Sequence, residues 1–500
     1  MKKPTEAFST RFAAAKRWRD LIRQHIEDTM MFCCPGREFD FQSSPDARRD
    51  DETQVFTSLG EECATDLAGD LVTYYTPDEV KWSEFLVTAD VPEDQEQAVL
   101  DLVTGREEKL ADIISMTNYR DIAPALMFEA ASHGTPALWV SAAHIMQPIH
   151  YEVVPPNQLY ITPGHLGILD RFREVRVQAS TLAALFQGYD VDLAQHPIGP
   201  KMEKADAPVV VIWGFWVDWK DPGNPLWRCE ITVDKIRVTP EEPITLGPLA
   251  GACPLLVGRF NPQTGKPWGR GPGMKALPDM RVLDKISDDV LAGMDQAIRT
   301  TILYADDGFL DLSEGIEAGR AYPASRGFRQ DSVVQLNNAV NLDHGWFAEE
   351  RVEARVRTSF YQDGPRQRGD TPPTAAQWLD ERRRVQARLG KPSAPLWTEL
   401  FGPMVQRTEF LAVQLGLIPD AITLDGTKIS VQPISPLQKA QNQDKVMVTR
   451  SNLDLCFTVL QDKVSEFVDM PATLGKIKDA SGDDLLILKK EQDAPPAPAQ

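Results

Sequence analysis

The sequence predicts an α+β fold, predominantly helical, in which two helical blocks flank a β-rich insert. Three observations carry this. Apolar residues recur every three or four positions through most of residues 4–132 and again from 274 to 415. Between these blocks, short runs of β-branched and aromatic residues are broken by Pro and Gly. One amphipathic run, Met274 to Ile302, continues for about 28 residues, roughly 42 Å as a helix.

Taken in order, Phe8, Phe12, Ala15, Trp18, Ile22 and Ile26 set the apolar face of a first helix over about Pro4–Met31. Arg and Lys fill its other face, and Pro35-Gly36 ends it. Leu59, Cys63, Leu67 and Leu71 space a second helix within Val55–Tyr75. A third spans about Pro92–Met116. A fourth begins near Tyr119, carries Ile122, Leu126 and Ala130, and stops at His133-Gly134. Strands are expected at Ala137–Val140, His150–Val154, Gln158–Ile161 and Phe172–Val177. A hairpin follows, Val209–Trp219 and Trp227–Val238 around the turn-rich Lys220–Pro225, then a strand at Leu255–Phe260.

Trp268–Lys275, rich in glycine, reads as a tight bend that starts the long helix. Leu277, Met280, Leu283, Ile286, Val290, Met294, Ile298 and Ile302 form its apolar face, with Asp279, Asp284, Asp288, Asp289 and Asp295 between them. A helix of this length needs a partner. The Gly-rich segment Asp306–Asp343 separates it from a second charged helix, Phe347–Tyr361. Gln362–Pro373 holds three prolines and two glycines, which forbid regular structure. Thr374–Leu389 and Ala394–Leu415 read as helices with Gly390 and Gly416 as C-terminal stops. Ile422–Val431 is strand-like, Leu437–Val468 helical, and Ala494–Gln500 disordered by composition.

The chain of 500 residues has a net charge of −20. That argues against a broad nucleic-acid grip, which draws on basic excess, but leaves a weak, sliding contact with DNA open, so charge alone decides nothing. No apolar run approaches a membrane span, and Met1–Lys16 has no secretory h-region. The six cysteines lack paired C-x-x-C spacing and read as reduced, packed thiols. No cofactor or metal is expected. There is no P-loop; Trp268–Lys275 comes nearest, but Pro272 removes an N–H that a phosphate nest would use. His144 and His150 are the one close histidine pair, at a spacing that suits neither a helix face nor a strand face. Asp190 and Asp192 read as solvated loop acids, and Arg368-Gly-Asp370 as a chance tripeptide. The residues show no active site, and the chain is read as not an enzyme.

Several segments together resemble the head-to-tail connector, or portal, of short-tailed phages. They are Arg17-Trp-Arg-Asp20, Asp51-Glu-Thr-Gln54 and Lys81-Trp-Ser-Glu-Phe85, then Tyr119–Val140 with its His133-Gly134-Thr135 turn. The most specific is Trp268–Leu283, similar to the family's G-R-G-P-x-x-x-x-L-P-D entry to the first stem helix. Thr374-Ala-Ala-Gln377, Leu389-Gly390, Glu399-Leu400, Pro403-Met-Val-Gln-Arg407 and Gly416-Leu-Ile-Pro419 follow in the family's order. Two positions depart from the pattern: His133, where an aromatic is more usual, and Gln377, normally acidic.

The resemblance implies a portal fold assembled as a ring, normally of twelve subunits, at one capsid vertex of a virion built in the host cytoplasm. Its parts would be a wing (1–267), a first stem helix (268–305), a clip (306–345), a second stem helix (346–361), a tunnel loop (362–373), wing helices (374–431), a crown (432–491) and a tail (492–500). Implied partners are other copies of the chain, the terminase large subunit, tail adaptor and nozzle proteins, major capsid and scaffolding proteins, and double-stranded DNA held transiently, with no membrane. Arg366 and Arg368 would ring the tunnel loop and touch phosphates, or else pair with Asp363 and Asp370. Arg299, Arg351, Arg355 and Arg357 would line the channel, or make ion pairs along or between helices. Alternative readings are a tail adaptor or coat protein, or a cytoplasmic hydrolase using acids such as Asp190 and Asp192.

Overall fold

The computed structural model describes residues 4–35, 55–77, 85–87, 96–144, 147–164, 167–182, 207–239, 242–298, 302–304, 333–335, 342–362 and 388–419, with a few shorter pieces up to residue 477. Helix α1 (Glu6–Cys33) starts at Thr5, whose hydroxyl accepts from the Phe8 amide at 3.2 Å. The fully buried Glu230 carboxylate accepts both the Thr5 amide (2.8 Å) and its hydroxyl (2.5 Å). The expected apolar face packs Phe8 and Ala15 on Tyr160, Phe172, Ile212 and Trp216. Gly214 is needed there, since a Cβ would stand 2.6 Å from the Phe8 ring. The polar face needs one correction: Arg19 is buried, donates to the Asn157 carbonyl at 3.1 Å and lies 3.8 Å from the Tyr160 ring centre.

Helices α2 (Leu59–Tyr75), α3 (Glu96–Ser115) and α4 (Tyr119–Ser132) follow, α2 starting four residues later than Val55. Strands β2 (Ala137–His144) and β3 (Gln147–Val153) form a hairpin, joined on the β2 edge by β10 (Leu255–Val257). A larger antiparallel sheet runs in the order β4 (Leu159–Gly164), β5 (Gly167–Gln178), β6 (Pro208–Asp218), β7 (Leu226–Val233), β8 (Ile236–Arg237). Strand β9 (Ile244–Pro248) also pairs with β7. The turn at Lys220–Pro225 closes the β6–β7 hairpin as expected, with Asp218 opposite Leu226. His144 and His150 fall on β2 and β3, where His150 faces Ser141 instead. Among the described residues no His, Cys, Asp or Glu group could hold a metal, and no helix is long and apolar enough to cross a membrane.

Besides the small cluster around Phe8 and Phe172, the described residues form two larger apolar cores. One gathers α2, α3, α4, the β2–β3 hairpin, the base of the long helix and residues 389–418. The other lies between the sheets and the C-terminal half of α1. Burial pushes the thiols of Cys33, Cys229 and Cys253 upward and that of Cys63 to about 12, so these cysteines act as small hydrophobes.

Some expected elements differ. Helix α5 (Pro272–Ile298) ends before Tyr304; residues Ile302–Tyr304 are strand β11, antiparallel to β12 (Val333–Gln335). Ile302 and Tyr304, β-branched and aromatic, suit a strand. After α6 (Leu342–Ser359), residues 388–396 are helical straight through Gly390 and continue through a π-helical turn, Trp397–Phe401, into α7 (Gly402–Gln414). Burial of Leu389, Leu396 and Leu400 outweighs the cost of about 1 kcal/mol for one helical glycine. Gly416 does end its helix, at φ +72°. Short strands β13 (Thr423–Leu424), β14 (Thr427–Lys428) and β15 (Val431–Pro433) follow, and β15 pairs with β1 (Phe85–Val87), a closure the periodicity did not foresee. Asp190, Asp192, residues 363–383, most of Leu437–Val468 and Ala494–Gln500 lie outside the described residues.

Candidate functional site

Two motifs that stand apart in sequence, Tyr119–Val140 and Trp268–Leu283, meet where the long helix leaves the body of the protein. The turn after α4 sets Gly134 at φ +82°, and the glycine-rich entry to α5 lies directly on it. A Cβ on Gly134 would stand 2.2 Å from the Gly271 amide nitrogen. One on Gly269 would stand 2.0 Å from the Gly134 carbonyl, and one on Gly271 2.4 Å from the Ser132 carbonyl. Only bare backbone fits here. Hydrogen bonds lock the contact: the Gly269 amide donates to the Thr135 hydroxyl (3.0 Å), the Phe260 amide to the Gly134 carbonyl (2.8 Å) and the Arg270 amide to the Phe260 carbonyl (2.9 Å).

Buried and half-buried polar groups surround this junction. His133 and Glu129, both 1% exposed, lie 2.5 Å apart, while His133 Nδ1 accepts from the Thr135 amide. Since Nδ1 accepts, the ring proton sits on Nε2 and is donated to Glu129. Arg259 forms a forked pair with Glu399, which the π-helical turn carries. Arg407 donates to the carbonyls of Val140, Gly251 and Ala252 at 2.9–3.3 Å, joining α7 to β2 and to the segment before β10.

From the junction, α5 and α6 run side by side and antiparallel. Lys275 meets the Tyr361 ring, Asp279 meets Arg355 (3.2 Å), and Ser287 meets Glu349 (2.9 Å), so one helix descends as the other climbs. The base is buried at Ala276, Leu277, Met280 and Leu283, whereas Leu291 and Phe347 further out are exposed. At the return, Tyr361 adopts φ +64° and the Gln362 amide reaches the Arg357 carbonyl at 2.9 Å. That left-handed cap is costly for a bulky residue and sits immediately before the proline-rich segment. Gln362 then ties the return to α2, donating to the Cys63 carbonyl at 3.0 Å. Proline at Val290 is expected to break α5, costing about 3 kcal/mol or more by removing an N–H and clashing with the preceding turn. Circular dichroism should show the lost helix.

Proline is already present in α5, at Pro278, and its neighbourhood shows how it is accommodated. The missing N–H would have bonded the Met274 carbonyl, and the His25 ring of α1 lies beside that carbonyl. Burial, with Arg270 and Arg281 nearby, lowers the His25 pKa from its ordinary 6.5, against the opposing pull of Asp28. A depressed folded pKa means the neutral ring is favoured in the fold. Its contribution is therefore complete above the unfolded value and is lost as pH falls through the folded one. Melting temperature should drop on acidification below about 6.5, and His25→Gln should flatten that part of the profile.

The sequence profile of the bacteriophage head to tail connecting proteins matches residues 5–205 and 250–487. The chain belongs to that family. Among solved structures, a chain of the "Virion of native gene transfer agent (GTA) particle" is 12% identical at a TM-score of 0.41, covering 91% of this chain and 93% of that one. A chain of the "Neck of empty GTA particle computed with C6 symmetry" is 12% identical at 0.39, covering 92% and 93%. No curated protein matches.

Of the residues singled out in the sequence, the connector brings the family's glycines, Glu399 and Arg407 to the junction. Arg355 and Arg357 are held in ion pairs between helices, with Asp279 and with Glu62 of α2 (3.6 Å). Arg351 lies 5.7 Å from the Phe347 ring centre. Arg299, Arg366 and Arg368 lie outside the described residues. Glu230, Arg259 and the His133–Glu129 pair went unnoticed. Their only sequence signal is an acid or base embedded in an apolar run, as in Trp227–Val233, and that does not name the partner.

Proposed function

We propose that this connector is the portal protein of a short-tailed phage, a twelve-membered ring of the kind the family resemblance implies, through which DNA enters and leaves the head. The observation that carries this is the antiparallel α5–α6 pair, rooted in a glycine-locked base and followed by a proline-rich return. In the ring these helices form the stem around a central hole. Residues 306–345 form the clip, which meets the terminase large subunit during packaging and tail adaptor and nozzle proteins afterwards. Capsid and scaffolding proteins surround the wing at one vertex, after assembly in the host cytoplasm. Residues 432–491 form the crown.

Twelve copies, each of charge −20, give an acidic wall that a duplex passes without sticking. Arg366 and Arg368 in the tunnel loop add local positive rings that touch phosphates in passing and resist back-slip. With no nucleotide motif in the sequence, the ring is passive, and a separate motor supplies the energy. For Arg355 and Arg357 the ion pairs favour a bracing role over channel lining. Gel filtration with negative-stain class averages tests the reading. Rings of about twelve times 55.8 kDa with an axial hole are expected, and a compact monomer overturns it.

A further inference from the structure

The paired helices α5 and α6 leave two opposite flanks uncovered, and the flanks differ in charge. On α5, Arg281 reaches Asp28 of α1 at 2.6 Å and Asp284 accepts the Phe56 amide at 2.6 Å, so this flank faces the N-terminal helices. Residues seven apart return to nearly the same helix face. That carries the flank outward to Asp288 and Leu291. On α6 the same flank is marked by Arg357, which pairs with Glu62 of α2, and seven residues earlier by the exposed Glu350. Its outer part is acidic around Leu291, which is 52% exposed.

The other flank carries Val282 on α5 with Phe347 and Arg351 on α6. Phe347 is 59% exposed and Val282 47%, and the Arg351 guanidinium lies over the Phe347 ring. Asp289 also lies on this side; Lys285 pairs with it and with Asp288 of the first flank at 2.9 Å each, so the difference in charge rests on Asp284 and Glu350 against Arg351. This flank is therefore apolar and basic. The cross-helix contacts Ser287–Glu349 and Lys275–Tyr361 fix the register, placing Leu291 within about two residues, roughly 3 Å, of the height of Phe347.

We infer that the two flanks are the two halves of one contact between neighbouring copies: the Leu291 flank of each chain packs on the Phe347–Arg351 flank of the next. This rests on the ring reading above and adds which residues meet. A second copy is the occupant because charge and apolar groups match only between unlike flanks. A two-fold dimer would set acid on acid, whereas unlike flanks joined head to tail close into a ring. DNA fits neither flank, since one repels phosphate and the other presents an exposed phenylalanine.

The test uses the full chain carrying Leu291→Cys and Phe347→Cys, treated with a short bis-maleimide. The two positions lie on opposite flanks, so no bridge forms within one chain. A denaturing gel should show a ladder of cross-linked oligomers up to the ring number, absent from wild type and from either single variant. Arg351→Glu should convert rings to monomers, and adding Glu350→Arg should restore them. Intact rings with no ladder, or rings undiminished by Arg351→Glu, overturn this contact and leave the ring standing. Failure of the wild type to form rings overturns both.

Discussion

Alanine at Gly134 will destabilise the protein far more than alanine at Gly265. The two glycines share nearly the same backbone, at φ +82° and +78°, so each substitution pays a similar conformational cost, of about 1–3 kcal/mol. They differ in their surroundings. A Cβ at Gly265 meets nothing within 4 Å, whereas one at Gly134 is driven into the backbone of Arg270 and Gly271. Backbone cannot turn aside as a side-chain tip can, so overpacking adds about 1–3 kcal/mol more and opens the hydrogen bonds around Thr135 and Phe260. The sum is a large share of a typical stability of about 5–15 kcal/mol. Urea unfolding midpoints of the two variants measure the difference. Equal midpoints would mean that the entry to α5 does not rest on the α4 turn.

Replacing Arg366 and Arg368 together with alanine should leave rings assembled and yet sharply reduce stably filled heads. Neither arginine belongs to the paired helices or to their glycine-rich base, so size and symmetry should match wild type. What is lost is positive charge at the narrowest point of the proposed channel, repeated in every subunit. Each contact to phosphate is weak and salt-dependent, and the effect comes from repetition around the axis. Packaged DNA per head, compared at low and raised ionic strength, measures it. Normal yields would remove both arginines from the mechanism, and loss of the rings would give them a structural role instead.

Much of this architecture was legible because amphipathic spacing survives folding. The four N-terminal helices, the β6–β7 hairpin and the antiparallel long pair all follow from apolar periodicity and turn residues. What escaped depends on contacts distant in sequence. Nothing near Gly390 announces that Leu396 and Leu400 will be buried and hold the helix through it. Arg19 looks like any basic surface residue until Tyr160 and Asn157 arrive from the sheet. At the junction, the glycines read as a bend, which they are. Their closer purpose, letting two backbones touch, needs Gly134 and Gly271 to be seen together.

The pairing of Phe85–Val87 with Val431–Pro433 also sets an order of events in the cell. The first of these strands leaves the ribosome roughly 350 residues before its partner, a delay on the order of 20–70 s at ordinary translation speeds. Through that interval the edge that will pair with residues 431–433 stands open, although the Phe85 amide can already reach the Glu107 carboxylate at 2.5 Å. Nascent chains stalled or truncated before residue 431 should therefore aggregate more readily than those allowed to run past 433.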